Sequence, residues 1–338
     1  MTIFSGLRSI GAIAARVMFA VTIVLGGCTT AGLDDLGVAS SEVSPALARE
    51  MTKKGFRAEQ PVLIRIFKEE SELEVWKMAT SGRYALFKSY PICRWSGKLG
   101  PKRETGDRQA PEGFYHVSLG MLNPASQYYR SFNLGYPNRL ESALGYKGDS
   151  LMVHGACSSS GCFAMTDQGV GEIYAIVRKA LESGQNRVQV QSYPFRMTRM
   201  NMSAHREDAN IVFWRNLKQG YDAFETTRRD LRVSVCDARY VFNKDFDAGE
   251  PLDPLKTCPP MKFPVPAPEI GEATSFGVPI DQADDVPLHA NAYADGGMHP
   301  AFRMLLKKYG AKTLSSRIST TSYPISRPEA ALSDPFQP

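Results

Sequence analysis

The sequence predicts a mainly β domain with a helix packed on its sheet and a helical extension on the C-terminal side. Three observations lead there. "RVQVQSY" (187–193) alternates, with Val188 and Val190 on one face and Gln189 and Gln191 on the other, the period of a strand with two unlike faces. Several further short runs rich in β-branched and aromatic residues are bounded by turn residues. Val170, Ile173, Val177 and Leu181 recur at helical spacing, which gives one apolar stripe to lay on a sheet.

In chain order, "VLIRIF" (62–67) and "LEVWK" (73–77) read as strands, and the polar "KEESE" joins them as a hairpin. "YALFKSY" (84–90) is a third strand. "PEGFYHVSL" (111–119) is a turn feeding a strand, with Pro111 and Gly113 in the turn. "SLMVH" (150–154) is a short apolar strand ending on His154. Thr166 or Asp167 caps the striped helix and Gly184 ends it. A second helical piece spans 207–227, with Ile211, Trp214, Leu217, Tyr221 and Phe224 on its apolar side. "RVSVC" (232–236) and "RYVF" (239–242) follow as short strands. Fourteen of the 22 prolines then fall in 251–338, where apolar periodicity nearly vanishes. A loosely draped or disordered tail is expected over 246–338, apart from a turn or two of helix near 301–309.

At the other end, Arg8 and Arg16 precede the apolar run "VMFAVTIVLGG" and then Cys28. A basic start, a run of 11 apolar residues and small residues at its end describe a secretory signal over 1–28. The run is shorter than the roughly 20 residues a membrane span needs. "LGGC" resembles the bacterial lipobox, which implies lipidation of Cys28 and a periplasmic protein anchored by acyl chains. Thr29, which is not aspartate, favours the outer membrane. Residues 29–58 are polar and weakly patterned and read as a tether, leaving 59–245 as the folded domain.

The chain's 338 residues, 43% hydrophobic and 22% charged, are enough for a sizeable core. A net charge of +5 is too weak to argue for nucleic acid, and no glycine-rich phosphate loop or internal repeat is present. Of six cysteines, an acylated Cys28 would leave five in an oxidising compartment, so at least one thiol stays unpaired. Cys236 with Cys258 is a reasonable local pair.

The chemistry concentrates in "LMVHGACSSSGCFAMTDQGV" (151–170). His154, Cys157 and Cys162 offer only three zinc ligands, with no companion cluster elsewhere, so no metal or other cofactor is expected. Packing alone would suit each residue taken singly, and a Cys157–Cys162 bridge would close a loop too small to stabilise much. Nucleophilic catalysis uses all of them. Cys162 follows a glycine and precedes a helix N-terminus, which favours the thiolate. Gly161 permits a sharp turn that brings backbone N–H groups toward an oxyanion. His154, at a strand end, can return as the base.

This stretch resembles the signature of the YkuD-type L,D-transpeptidases: "HG", then "SxGC". "SYPICRWSGKLGPKRETGDRQAPEGFYHV" (89–117), "NLGYPN" (133–138) and "YPFRMT" (193–198) are similar to the YafK-like branch, over roughly 60–245. The resemblance implies a β-sandwich-like domain. It implies Cys162 as nucleophile, His154 as base, Gly155 as the carbonyl that orients the imidazole, and Ser159, Ser160 and Gly161 as the oxyanion turn. It implies peptidoglycan stem peptides as substrate, attacked at the diaminopimelate carbonyl with loss of D-alanine. The acceptor would be another stem, or a lysine of a wall-linked lipoprotein or outer-membrane protein. Water as acceptor makes the same site an amidase; a non-catalytic wall-binding lipoprotein is the alternative of another class. Ser160 and Ala164 depart from the histidine and arginine of many relatives. Lys98, Lys102, Arg103 and Tyr90 are candidates for gripping the substrate. Cys157 either packs as a thiol or pairs with Cys93.

Overall fold

The computed structural model describes residues 42–247, 249–262 and 297–320. The signal-like stretch with Cys28, the start of the tether and much of the proline-rich tail lie outside them. The elements in chain order are α1 (Pro45–Lys53), β1 (Val62–Phe67), β2 (Glu72–Met78), β3 (Tyr84–Pro91), β4 (Arg94–Trp95), β5 (Gly113–Val117), β6 (Leu122–Ser126), β7 (Tyr129–Asn133) and α2 (Arg139–Ala143). They continue as β8 (Met152–His154), β9 (Phe163–Ala164), α3 (Asp167–Glu182), β10 (Val188–Tyr193), α4 (Arg199–Ala204) and α5 (Ile211–Thr227). The last are β11 (Val233–Cys236), β12 (Arg239–Phe242), β13 (Asp245–Phe246), β14 (Met261–Lys262) and α6 (Pro300–Ile318).

Two five-stranded sheets carry the domain, ordered β3-β2-β1-β10-β5 and β4-β9-β8-β7-β6. Their facing sides share one core. Val62, Ile64 and Ile66 of β1 meet Phe132, Val153 and Phe163 of the second sheet. The stripe of α3 enters the same core through Val170, Ile173, Val177 and Leu181, as its spacing requires. Full burial of each such side chain contributes about 1.5–3 kcal/mol, so a charge placed at Ile173 would undo the helix's docking. Thr166 caps α3 by accepting the Gly169 N–H. At the far end Gly184 sits at φ +105 and the Gln185 N–H returns to the Ala180 carbonyl, closing the helix as expected.

The first sheet is covered on its other face too, by α5 and the β11–β12 hairpin. Leu63, Phe67 and Tyr193 pack there with Trp214, Leu217, Tyr221 and Phe224. This is why β10 is buried at every position. Gln189 and Gln191, on the polar side of the alternation, lie under α5 rather than in water. Gln189 donates to Leu231 O, and Gln191 donates to Gln189 and accepts from the Tyr193 hydroxyl.

The structure departs from the sequence expectation at both flanks. Within the expected tether, Ser44 caps α1, Pro45 opens it, and Leu47 and Met51 enter the core. Beyond residue 296 the tail is not loose over its described part. Met298 packs around Cys93 and Cys157 with Phe302 and Leu314 of the kinked helix α6, which is broken at Gly310 (φ 74). The disulfides are Cys93–Cys157 and Cys236–Cys258, and Cys162 is the free cysteine among the described residues.

Candidate active site

The register of the second sheet assembles the site. β8 and β9 run parallel, with Val153 beside Phe163 and His154 beside Ala164. Val153 and Phe163 face the core, so His154 and Ala164 face the other way. Arg94 pairs with Ala164 and Ser131 pairs with His154. Arg94, Ala164, His154 and Ser131 therefore form one row across four strands on the outer face. Cys162 stands two residues before Ala164. It lies in the bend that enters β9, next to the strand that carries His154.

Each group is held from several sides. The His154 ring is buried, and its Nδ1 lies 2.6 Å from the Gly155 carbonyl. A carbonyl only accepts, so Nδ1 carries the proton and Nε2 keeps its lone pair. The Tyr128 ring packs beside the imidazole at 4.8 Å between centroids. Gly155 must be glycine for want of space: a Cβ would come 2.5 Å from Asp167 Oδ1 and 2.8 Å from the Tyr128 carbonyl. The next two residues, Ala156 (φ 67) and Cys157 (φ 51), both adopt left-handed backbone. Asp167 Oδ1 accepts the Ala156 N–H at 2.9 Å, and Cys157 is tied by its disulfide.

The turn before Cys162 is organised by Ser96, which sequence reasoning passed over. Its hydroxyl accepts the Gly161 N–H at 2.6 Å, donates to the Arg108 carbonyl at 2.8 Å and lies 2.9 Å from Ser159 Oγ. The Ser159 hydroxyl donates to the Cys162 carbonyl at 2.7 Å. Gly161 sits at φ +122, where a side chain is strained. Its N–H is thus committed to Ser96 rather than presented to a substrate oxygen, while Ser160 is exposed at the tip.

Burial pushes the Cys162 thiol up to about 11, against weaker opposing effects from the Met152 N–H and the Lys102 charge. Burial likewise pushes His154 down to about 4, although the Gly155 carbonyl and Asp167 pull the other way. Both shifts favour the neutral forms, thiol and imidazole, over the thiolate that a helix N-terminus favours, although Cys162 itself is only half-buried. Sγ accepts the Met152 N–H at 3.4 Å and lies 3.8 Å from the Ser150 carbonyl.

The candidate substrate-gripping residues do not converge. Tyr90 is buried against α3, its hydroxyl on Glu172. Lys102 is buried, ion-paired to Asp107 and bonded to the Glu104 carbonyl. It acts on Cys162 as a nearby charge rather than as an open ligand. Lys98 and Arg103 are exposed, Arg103 lying 6.0 Å from the Tyr146 ring. Arg94 was not visible as a site residue in the sequence; only the register shows that a guanidinium shares the face of His154 beside Ala164.

Comparison with known proteins adds the following. A model of the L,D-transpeptidase catalytic domain, YkuD, matches residues 59–190. The protein named "Putative L,D-transpeptidase YafK" of Escherichia coli K12 is 50% identical over 184 residues, 54% of this chain and 74% of that protein. A solved mutant of the helical cell shape determining protein Pgp2 from Campylobacter jejuni is 17% identical with a TM-score of 0.34, covering 57% of this chain and 80% of that one. Bd1075 of Bdellovibrio bacteriovorus is 18% identical with a TM-score of 0.29, covering 49% and 63%. Both likenesses are too distant to inform the site.

Proposed function

The chain belongs to the YkuD family of L,D-transpeptidases, and on that premise we propose that it is a cysteine acyltransferase acting on the stem peptides of peptidoglycan. The reading includes an envelope location, with Cys28 as lipid anchor. One observation carries the chemistry. The free thiol, Cys162, stands at the entry to β9, the strand paired with β8 and its buried, neutral imidazole His154, whose Nδ1 is already engaged.

The steps follow from that geometry. Cys162 Sγ attacks the carbonyl at the L-centre of diaminopimelate as its proton passes to His154 Nε2. The tetrahedral intermediate collapses by breaking the amide bond to D-alanine, whose nitrogen leaves with that proton. A thioester remains. An acceptor amine then attacks it, its proton passes to Nε2, and the proton returns to sulfur as the new amide forms. Because the pair rests neutral, imidazolium is formed only as the oxyanion forms, and each charge stabilises the other. The Gly155 carbonyl holds the tautomer throughout.

The test has two stages. Intact mass after treatment with a carbapenem should show one adduct, absent from Cys162→Ser. Purified tetrapeptide muropeptides should then give D-alanine together with a cross-linked or exchanged product. An unlabelled, folded protein sinks the nucleophile assignment. Tripeptide and free D-alanine, with no cross-linked or exchanged product, assign water as the acceptor and make the enzyme an amidase.

A further inference from the structure

The peptide unit joining Gly155 to Ala156 is gripped at both ends. Its carbonyl meets His154 Nδ1 at 2.6 Å, and its N–H donates to Asp167 Oδ1 at 2.9 Å. The other carboxylate oxygen, Oδ2, accepts both the N–H (2.5 Å) and the hydroxyl (2.8 Å) of Thr320. Asp167 is buried in the first turn of α3, where the helix dipole favours its charge. A carboxylate on the N–H side of a peptide polarises it and strengthens its carbonyl as an acceptor. The chain of groups Thr320, Asp167, peptide 155–156 and His154 is thus continuous, and it ends on the nitrogen that fixes which tautomer the imidazole adopts.

The stretch that carries Thr320 is docked at several points. The Trp95 N–H donates to the Gly297 carbonyl and the His299 N–H to the Ile92 carbonyl. Gly297 (φ +70) leaves no room for a side chain, since a Cβ would come 2.4 Å from the Trp95 indole. Met298, Phe302 and Leu314 cover the Cys93–Cys157 bridge, which holds the residue after Ala156. None of this segment falls in the 59–190 stretch that matches the family model.

We propose that Asp167 is a positioning residue for His154, acting through the 155–156 peptide, and that Thr320 holds Asp167 in that role, which makes residues 297–320 a working part of the site. The proposal rests on His154 being the base, but its readout does not need turnover. Full-length protein carrying 15N in its histidine rings reports tautomer and titration directly, with His154→Gln assigning the signal. Wild type should show the Nδ1–H form. Asp167→Asn removes the charge and sets an amide NH2 against the donors of Thr320. It should mix the tautomers, lower the titration point of His154 and slow carbapenem acylation of Cys162 about tenfold, the scale of one lost charge-assisted hydrogen bond.

A folded Asp167→Asn protein with the wild-type tautomer and rate overturns the proposal. If that variant does not fold, Thr320→Val and Thr320→Ser decide. Valine should slow acylation by about threefold and serine should restore it, as expected for one neutral hydrogen bond; equal rates overturn the proposal. A wild-type protein inert toward muropeptides would instead remove the proposed function, with the ring signals still legible.

Discussion

The alkylation of Cys162 as a function of pH tests the neutral resting pair most directly. With its thiol pushed up to about 11 from the usual 9, the thiolate at pH 7 is about one part in ten thousand rather than one in a hundred. That alone would slow attack on iodoacetamide about a hundredfold relative to an ordinary thiol. Intrinsic nucleophilicity rises with thiol basicity, with a Brønsted slope of about 0.4–0.5, which restores about one decade over two pK units. The net expectation is about tenfold slower than a small-molecule thiol of pKa near 9. The rate should climb tenfold per pH unit from pH 6 to beyond 10. Loss of native thiol is followed by intact mass, with Cys162→Ser as the blank. A rate that levels off below pH 8 refutes the reasoning, because it requires a preformed thiolate–imidazolium pair and therefore a site far less desolvating than the one described.

Three further outcomes follow from the same residues. His154 has its pKa lowered from 6.5 to about 4, so between those values the unfolded chain binds a proton that the folded chain does not. Stability should therefore fall as pH drops through this window, by up to about 3 kcal/mol from His154 alone. The difference in urea midpoint between wild type and His154→Gln isolates this contribution, because burial raises Glu70 and Glu141 to about 7 in both proteins. Those two carboxyls work in the opposite sense, favouring the fold at low pH and losing that contribution as pH rises through 7. Gly155→Ala should cost about 1–3 kcal/mol in denaturant midpoint from overpacking against Asp167 and Tyr128, and carbapenem acylation should fall by more than that loss explains. Converting Cys93 and Cys157 together to alanine, 64 residues apart, should cost about 4 kcal/mol in unfolding free energy by loop entropy; an unchanged thermal midpoint would count against the bridge.

The sequence announces what repeats and conceals what is positional. The strands at 62–67, 84–91 and 188–193 and the helix after Thr166 are long enough for a period to show. β4 and β9 have two residues each and carry no period. β6 is an edge strand that includes Pro124, which sequence rules assign to turns. Cys162, His154 and Gly155 were legible as candidates within one motif. Ser96, Asp167, Arg94 and Thr320 were not, since each reaches the site from another element. Lys102 and Tyr90 misled because a charge or an aromatic near a motif says nothing about direction. In the fold one meets Asp107 and the other meets Glu172. Burial of both faces of the first sheet also escaped the alternation of β10. A period of two reports two unlike faces, not that one of them is wet.

The short spacing between His154 and Cys162 explains why so many residues outside the motif are needed. A parallel return must bring the chain back from the end of β8 to the start of β9, a distance of two or three residues or about 7–10 Å. Residues 155–162 could span about 26–29 Å if extended, so the excess is folded into tight turns. Those turns place Ala156 and Cys157 in left-handed backbone and Gly161 at φ +122. Two consecutive non-glycine residues with positive φ cost about 1–3 kcal/mol each and persist only where surroundings over-determine them. Three ties provide that: Asp167 on the Ala156 N–H, the bridge from Cys93, and Ser96 on the Gly161 N–H. Two of the three come from the stretch around β4 and the third from the start of α3, flanking the loop on both sides. The geometry of the loop is therefore set less by its eight residues than by the elements that clamp them. Substitutions at Cys93, Ser96 or Asp167 should accordingly slow Cys162 acylation, less than loss of His154 does, while leaving the first sheet, and most of the core, intact.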